Sequence, residues 1–210
     1  MILLIDNYDS FSYNLVQYLG AIGRRRGEDR CQLRVIRNDE LTVDEIRALA
    51  PDALVLSPGP GRPDAAGVCE EVLRQLSPRI PTLGVCLGHQ AICEVYGATI
   101  TYARQLMHGK QSVVGLAADS MLFAGLPEKT PVARYHSLAA EAVTMPGCLR
   151  VIARAEDGEI MAVEHREHPV CGVQFHPESV LTPEGMRMLE NFVDWAMKLG
   201  ERQVKSPKAQ

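Results

Sequence analysis

Residues 80–90 read Ile80-Pro-Thr-Leu-Gly-Val-Cys-Leu-Gly-His-Gln90, and their reading sets the fold. Ile80 to Val85 is a short apolar run of the kind that forms a buried strand. Cys86 follows at once, and Leu87, Gly88, His89 and Gln90 open a helical pattern. Strand, sharp turn and helix in succession expose the side chain at the apex of the turn. The unpaired backbone N–H groups at a helix start favour negative charge nearby, so a cysteine at the apex is expected to be unusually acidic and nucleophilic. The competing reading is a cysteine that merely fills the core. Gly84 and Gly88 weigh against it, because bare backbone on either side of Cys86 permits a tight elbow.

Upstream, Met1 to Ile5, Gln32 to Ile36 and Ala53 to Leu56 are further apolar strands. Between them lie helical patterns. One carries Phe11, Leu15, Leu19 and Ile22, with a cap expected at Asp9 or Ser10 and an end at Gly20 and Gly23. The next begins at a capping box of Thr42 and Glu45, and a third runs through Val68, Val72 and Leu76. Strictly alternating strands and helices predict a mostly parallel central sheet with helices on both faces, a three-layer α/β/α domain.

After Gly97 the pattern changes to short strands separated by turns: Ala98–Ala103, Ser112–Leu116, Pro131–Tyr135, Leu149–Ala155, Glu159–His165 and Pro169–Phe175. These predict an added antiparallel portion. A last helix opens at Thr182 and Pro183 and buries Met186, Leu189, Phe192, Val193 and Trp195. Residues 1–199 read as one domain, and 200–210 as a tail with little to bury, expected to fray.

The chain has 210 residues, 46% hydrophobic and 23% charged, which suits one well-buried domain. A formal charge of −4 argues against nucleic acid or an anionic membrane as partner. Arg24, Arg25 and Arg26 are followed by acidic Glu28 and Asp29, and read as a solvated loop. Six cysteines lack the dense spacing of a secreted disulfide scaffold and point to reduced thiols in the cytoplasm. No apolar run approaches the ~18 residues of a membrane span, and no export signal is visible.

A thiolate nucleophile needs a base, and His176 is the best placed of six histidines. In VQFHPES it follows a buried strand, and Pro177 is expected to keep the next residues extended, bringing Glu178 to the imidazole's side as the third member of a triad. The alternative is a histidine with a purely structural role. Ser57 to Pro63, SPGPGRP, has no titratable group except Arg62. Its glycines and prolines can aim a backbone N–H at a developing oxyanion, with the Leu87 N–H as the second donor. In open parallel sheets ligands bind beyond the carboxyl ends of the strands, and Cys86, SPGPGRP and His176 all follow such ends. Metal-like spacings at Cys86/His89 and at His165, His168 and Cys171 lack complete ligand sets, so no metal is expected.

Together GVCLGHQ, SPGPGRP and VQFHPES resemble the signature segments of the class I glutamine amidotransferases, whose fold is flavodoxin-like. LLIDNYDSFSYNL at Leu3–Leu15, MHGK at Met107–Lys110 and PVARYHSL at Pro131–Leu138 are similar to the subgroup serving chorismate-using synthases. The likeness spans Met1 to Leu199 and leaves out Arg24–Arg30 and the tail.

It implies that Cys86 attacks the side-chain amide of glutamine, that His176 moves the proton and that Glu178 orients His176. It further implies an oxyanion hole at Gly59 and Leu87, and glutamine held by Gln90, Ser137 and Leu138. His89 resembles a structural residue, and His108 and Lys110 lie where relatives meet their synthase. No cofactor is implied for this chain, Mg²⁺ belonging with a partner synthase subunit. The rival readings are a fold-only binding domain, opposed by the intact triad, and a thiol amidase for another substrate, opposed by Gln90 with Ser137.

Overall fold

The computed structural model describes residues 1–27, 31–104 and 109–205. In chain order its elements are β1 (Ile2–Asp6), α1 (Ser12–Arg26), β2 (Leu33–Arg37), α2 (Val43–Ala48), β3 (Ala53–Leu56), α3 (Cys69–Gln75), β4 (Thr82–Val85) and α4 (Leu87–Val95). There follow β5 (Ile100–Tyr102), β6 (Lys110–Leu116), β7 (Lys129–Arg134), β8 (Leu138–Ala140), β9 (Leu149–Ala155), β10 (Ile160–His165), β11 (Val170–Val173) and α5 (Gly185–Lys205).

Among the described residues nine strands form one sheet in the order β2-β1-β3-β4-β11-β10-β9-β6-β7. The half from β2 to β11 is parallel, and the half from β11 to β7 is antiparallel. Strands β1, β3, β4 and β11 are buried along their whole length, as continuous apolar strands covered by helices on both faces must be. Leu15, Leu19 and Ile22 of α1 and Leu189, Phe192 and Val193 of α5 fill one face. Ile46 of α2, Val72 and Leu73 of α3 and Ala91 and Ile92 of α4 fill the other. The sequence therefore predicts the three layers and the antiparallel extension correctly. The parallel register also gathers the carboxyl ends of β1, β3, β4 and β11 along one edge, where the site lies.

Several boundaries differ from the sequence expectation for identifiable reasons. Helix α1 runs through Gly20 and Gly23 and ends at Gly27, whose φ of 65° closes it in a left-handed cap. Gly23 serves packing instead, since a Cβ there would stand 2.5 Å from the Cys31 carbonyl oxygen. Neither Asp9 nor Ser10 caps the helix: the N-cap is Phe11 without a side-chain cap, and Asp9 instead accepts the Phe11 N–H at 2.7 Å just ahead of it. Arg24, Arg25 and Arg26 are the last turn of α1, not a loop, and there they complement the helix dipole. Arg25 meets Glu190 at 2.8 Å and Arg26 pairs with Asp194, tying α1 to α5. Helix α5 continues past Gly200 to Lys205, because one glycine does not end a helix flanked by good helix formers. The capping box at Thr42 and Glu45 forms as expected.

Strand β8 has only three residues and escapes a period-two reading; it pairs with β5 in a separate two-stranded ribbon. His108, expected near a partner surface, lies outside the described residues. No disulfide joins cysteines among the described residues. Among the described residues no helix is long and apolar enough to cross a membrane.

Candidate active site

Cys86 occupies the turn between β4 and α4 with φ 52° and ψ −101°, a conformation that L-residues rarely adopt. Its N–H donates to the Val173 carbonyl at 2.8 Å, and its own carbonyl accepts the Gln90 N–H at 3.0 Å, so the elbow is pinned to β11 and to the helix it starts. The bracketing glycines are steric requirements. A Cβ on Gly84 would lie 2.4 Å from the Gly88 carbonyl oxygen, and one on Gly88 the same distance from the Leu56 carbonyl oxygen. Both obstacles are backbone, so relief means pushing α4 off the sheet. Gly88→Ala is therefore expected to lose about 2–3 kcal/mol of stability in denaturant unfolding, and a loss below about 0.5 kcal/mol would mean that α4 can shift freely.

His176 follows β11 and is 2% exposed. Its N–H donates to the Ala133 carbonyl at 3.0 Å, and its carbonyl accepts from Thr182 Oγ1 at 2.7 Å. Residues 176–179 form a turn closed by the Ser179 N–H on the His176 carbonyl at 3.3 Å. This corrects the extended path expected after Pro177: the Ser179 N–H and the Thr182 hydroxyl both donate to the His176 carbonyl and fold the segment back on itself. The turn still brings Glu178 Oε1 to 2.7 Å from His176 Nδ1. Phe11 and Tyr135 stand edge-on to the imidazole, with centroids 5.2 and 5.1 Å away.

Burial works against charge on His176, but interaction with the Cys86 sulfur and with Glu178 outweighs it and raises the pKa to about 10. With Nδ1 committed to Glu178, Nε2 is buried without a hydrogen-bond partner of its own. It is thus the nitrogen through which His176 meets the Cys86 sulfur.

The other predicted residues converge on the same edge. Gly59 follows β3, and its backbone is packed so tightly that a Cβ would lie 2.5 Å from Asn7 Cβ and 2.6 Å from Leu87 Cδ2. Gly59 and Leu87 are thereby neighbours, and the Leu87 N–H belongs to the first turn of α4, where no acceptor exists within the helix. Gln90 donates to the Leu138 carbonyl at 3.0 Å, and Ser137, adjacent to it, is exposed. His89 is fully buried against Gly172 and Cys93, and burial lowers its pKa to about 4, so it belongs to the core.

Sequence reasoning missed several contributors. Asn7, at the end of β1, donates to the Ser57 carbonyl at 2.9 Å and gives its N–H to Ser57 Oγ at 2.8 Å, bracing the SPGPGRP loop. Gln174 lies 3.6 Å from the Cys86 sulfur. Arg134, 1% exposed, is held by Asp157 at 2.8 Å and by Glu159, and donates to His136 at 3.2 Å. Gln174, Arg134 and His136 all sit inside the quoted segments VQFHPES and PVARYHSL, and that is the only signal the sequence offered for them.

The arrangement has the parts that acyl transfer needs: a thiol at an elbow, an imidazole oriented by a carboxylate, and the Gly59 and Leu87 backbones packed together nearby. The family model for class-I glutamine amidotransferases matches residues 3–195. The chain is 48% identical over 92% of its length to the aminodeoxychorismate/anthranilate synthase component 2 of Bacillus subtilis, covering 96% of that protein. It is equally 48% identical over 92% of its length to anthranilate synthase component 2 of Pseudomonas aeruginosa, covering 94% of it. It is 47% identical to the bifunctional protein TrpGD of Thermotoga maritima over 92% of this chain, but spans only 32% of that longer protein. A crystal structure of a candidate GMP synthase component from Thermoplasma acidophilum superposes with a TM-score of 0.83 over 97% of both chains at 24% identity, a likeness of fold. The elbow, the base and these relatives agree, and the chain belongs to the class-I glutamine amidotransferases.

Proposed function

We propose that this chain is the glutaminase subunit of an anthranilate synthase, hydrolysing glutamine and passing ammonia to a chorismate-using partner subunit. The observation that carries the reading is the His176–Glu178 contact at 2.7 Å beside Cys86, with the Gln90 amide joined to the Cys86 sulfur through Gln174. The Cys86 sulfur attacks the side-chain amide carbon of glutamine after giving its proton to His176 Nε2. The amide oxygen takes up charge opposite the Gly59 and Leu87 N–H groups. His176 then protonates the leaving nitrogen, ammonia departs and a glutamyl thioester remains. Water, losing a proton to His176, attacks the thioester; glutamate leaves and the thiol is restored. Both hydrogens on Gln90 Nε2 are engaged by the Leu138 carbonyl and Gln174 Oε1. Its carbonyl oxygen is thus left to accept from the substrate ammonium, with Ser137 and Leu138 beside it.

Mg²⁺ is assigned to the partner synthase, and the complex to the cytoplasm. Gly61 and Ala133 favour the anthranilate branch, since the folate-pathway subunits more often resemble SPGPCTP and TVTRYHSL at those points. The second reading, an aminodeoxychorismate synthase subunit or one protein serving both enzymes, is favoured by the Bacillus subtilis relative that carries both names. The test is reconstitution with each type of synthase, chorismate and glutamine. Glutamine-dependent anthranilate is the expected product. Aminodeoxychorismate alone overturns the pathway, and no glutamine consumption with either partner overturns the glutaminase reading.

A further inference from the structure

A continuous line of buried and partly buried hydrogen bonds leads to the nucleophile, and one backbone atom fixes its direction. The Leu138 carbonyl oxygen accepts and cannot donate. Gln90 Nε2 and His136 Nδ1 each lie 3.0 Å from it, so both present an N–H. The second hydrogen of Gln90 Nε2 meets Gln174 Oε1 at 3.1 Å, which leaves the Gln174 amide nitrogen facing the Cys86 sulfur at 3.6 Å. Turning the Gln90 amide over would set carbonyl against carbonyl at Leu138; turning Gln174 over would set NH₂ against NH₂ between the glutamines.

The line is anchored at its far end. Arg134 donates through Nε to His136 Nε2, which as an acceptor must be unprotonated, and His136 stays neutral because burial and the Arg134 charge lower its pKa to about 3. Asp157 and Glu159 hold Arg134 in turn. Gln174 itself is fully buried, and its backbone N–H is fixed on the Met161 carbonyl at 2.8 Å. A buried amide so constrained is pre-organised before any substrate arrives.

We propose that Gln174 is a further catalytic residue, donating its amide N–H to the Cys86 sulfur and holding the Gln90 amide with its carbonyl toward the substrate ammonium. The proposal deepens, and rests on, the glutaminase reading of this site. Gln174 moves no proton. When the thiol ionises, the proton goes to His176 Nε2 and the negative sulfur gains the Gln174 hydrogen bond. When water hydrolyses the thioester, the carbon–sulfur bond breaks, its electron pair returns to sulfur, and the same N–H receives it. In the thioester the sulfur is a poor acceptor, so the contact strengthens in the steps where sulfur carries charge.

The test compares Gln174→Met and the isosteric Gln174→Glu in the full chain bound to its synthase partner. The first readout is alkylation of Cys86 by iodoacetamide, followed on the Cys86 peptide by mass spectrometry across the pH range. Loss of a hydrogen bond to a charged group predicts alkylation about tenfold slower at neutral pH in Gln174→Met, a profile moved to higher pH, and a greater deficit in Gln174→Glu. The second is glutamine hydrolysis, where kcat/KM is expected to fall about 10- to 100-fold, with KM raised because Gln90 is no longer held. A purely structural role would not move the alkylation profile. A wild-type profile in Gln174→Met, or wild-type reactivity in Gln174→Glu, overturns the proposal, and the isostere decides the matter if the methionine variant misfolds. A wild-type complex that consumes no glutamine would sink the glutaminase reading instead, while the alkylation comparison still decides the sulfur contact.

Discussion

Cys86→Ser is expected to abolish glutamine-dependent synthesis by the reconstituted complex, by about 10³-fold or more, and to spare synthesis from added ammonia. The thiol ionises at a pH where an alcohol does not, so serine in the same place lacks the nucleophile that His176 can activate. The substitution is close to isosteric. The hydrogen bonds that fix the elbow, from the Cys86 N–H to the Val173 carbonyl and from the Gln90 N–H to the Cys86 carbonyl, belong to the backbone and persist. Folding and docking to the synthase should therefore survive, and the partner's chemistry with free ammonia needs no thiol. Parallel assays with glutamine and with ammonium chloride check this. Equal loss with both nitrogen sources would refute the division of labour, and full glutamine activity would remove Cys86 from the chemistry.

The parts of this site that are legible in the sequence are those enforced by short-range backbone chemistry. Gly84 and Gly88 announce the elbow because each lies where a Cβ would strike backbone at 2.4 Å. Placing His176 just beyond a buried strand requires only the apolar run of β11. The reason for its contact with Glu178 is not legible: Pro177 suggests an extended path, whereas residues 176–179 turn, closed on the His176 carbonyl by the Ser179 N–H and the Thr182 hydroxyl. The same holds for Gln174. A buried glutamine after a strand has no distinguishing pattern, and its orientation is set by the Leu138 carbonyl, 36 residues away along the chain. Strand β8 and the end of α1 escape the sequence for one reason, that three-residue strands and packing glycines carry no periodicity. Sequence pattern thus locates the groups that react, while the network that orients them becomes visible only once distant segments are in contact.

Glu178→Gln separates orientation from nucleophilicity. In the native site the Glu178 carboxylate can only accept, so Nδ1 keeps its proton and Nε2 is the nitrogen that exchanges a proton with the Cys86 sulfur. An amide at position 178 can turn its NH₂ toward Nδ1, which favours the tautomer protonated on Nε2 and removes the base while keeping the shape. Glutamine turnover should drop by about 10²-fold or more, within the 10²–10⁴ span of general acid–base catalysis.

The pH response gives a second signature. The His176 pKa is about 10 in the folded chain against the ordinary 6.5. The folded state therefore holds a proton that the unfolded state has lost between those values, and stability contributed by this group is full below pH 6.5 and disappears as pH rises toward 10. Because Glu178 is one of the groups raising that pKa, Glu178→Gln should move the end of the window to lower pH and shift the alkaline limb of the activity profile in the same direction. Thermal unfolding and glutamine hydrolysis measured across the alkaline range check both. An unchanged alkaline limb together with wild-type turnover would mean that His176 is oriented by its aromatic neighbours Phe11 and Tyr135, with the carboxylate a bystander.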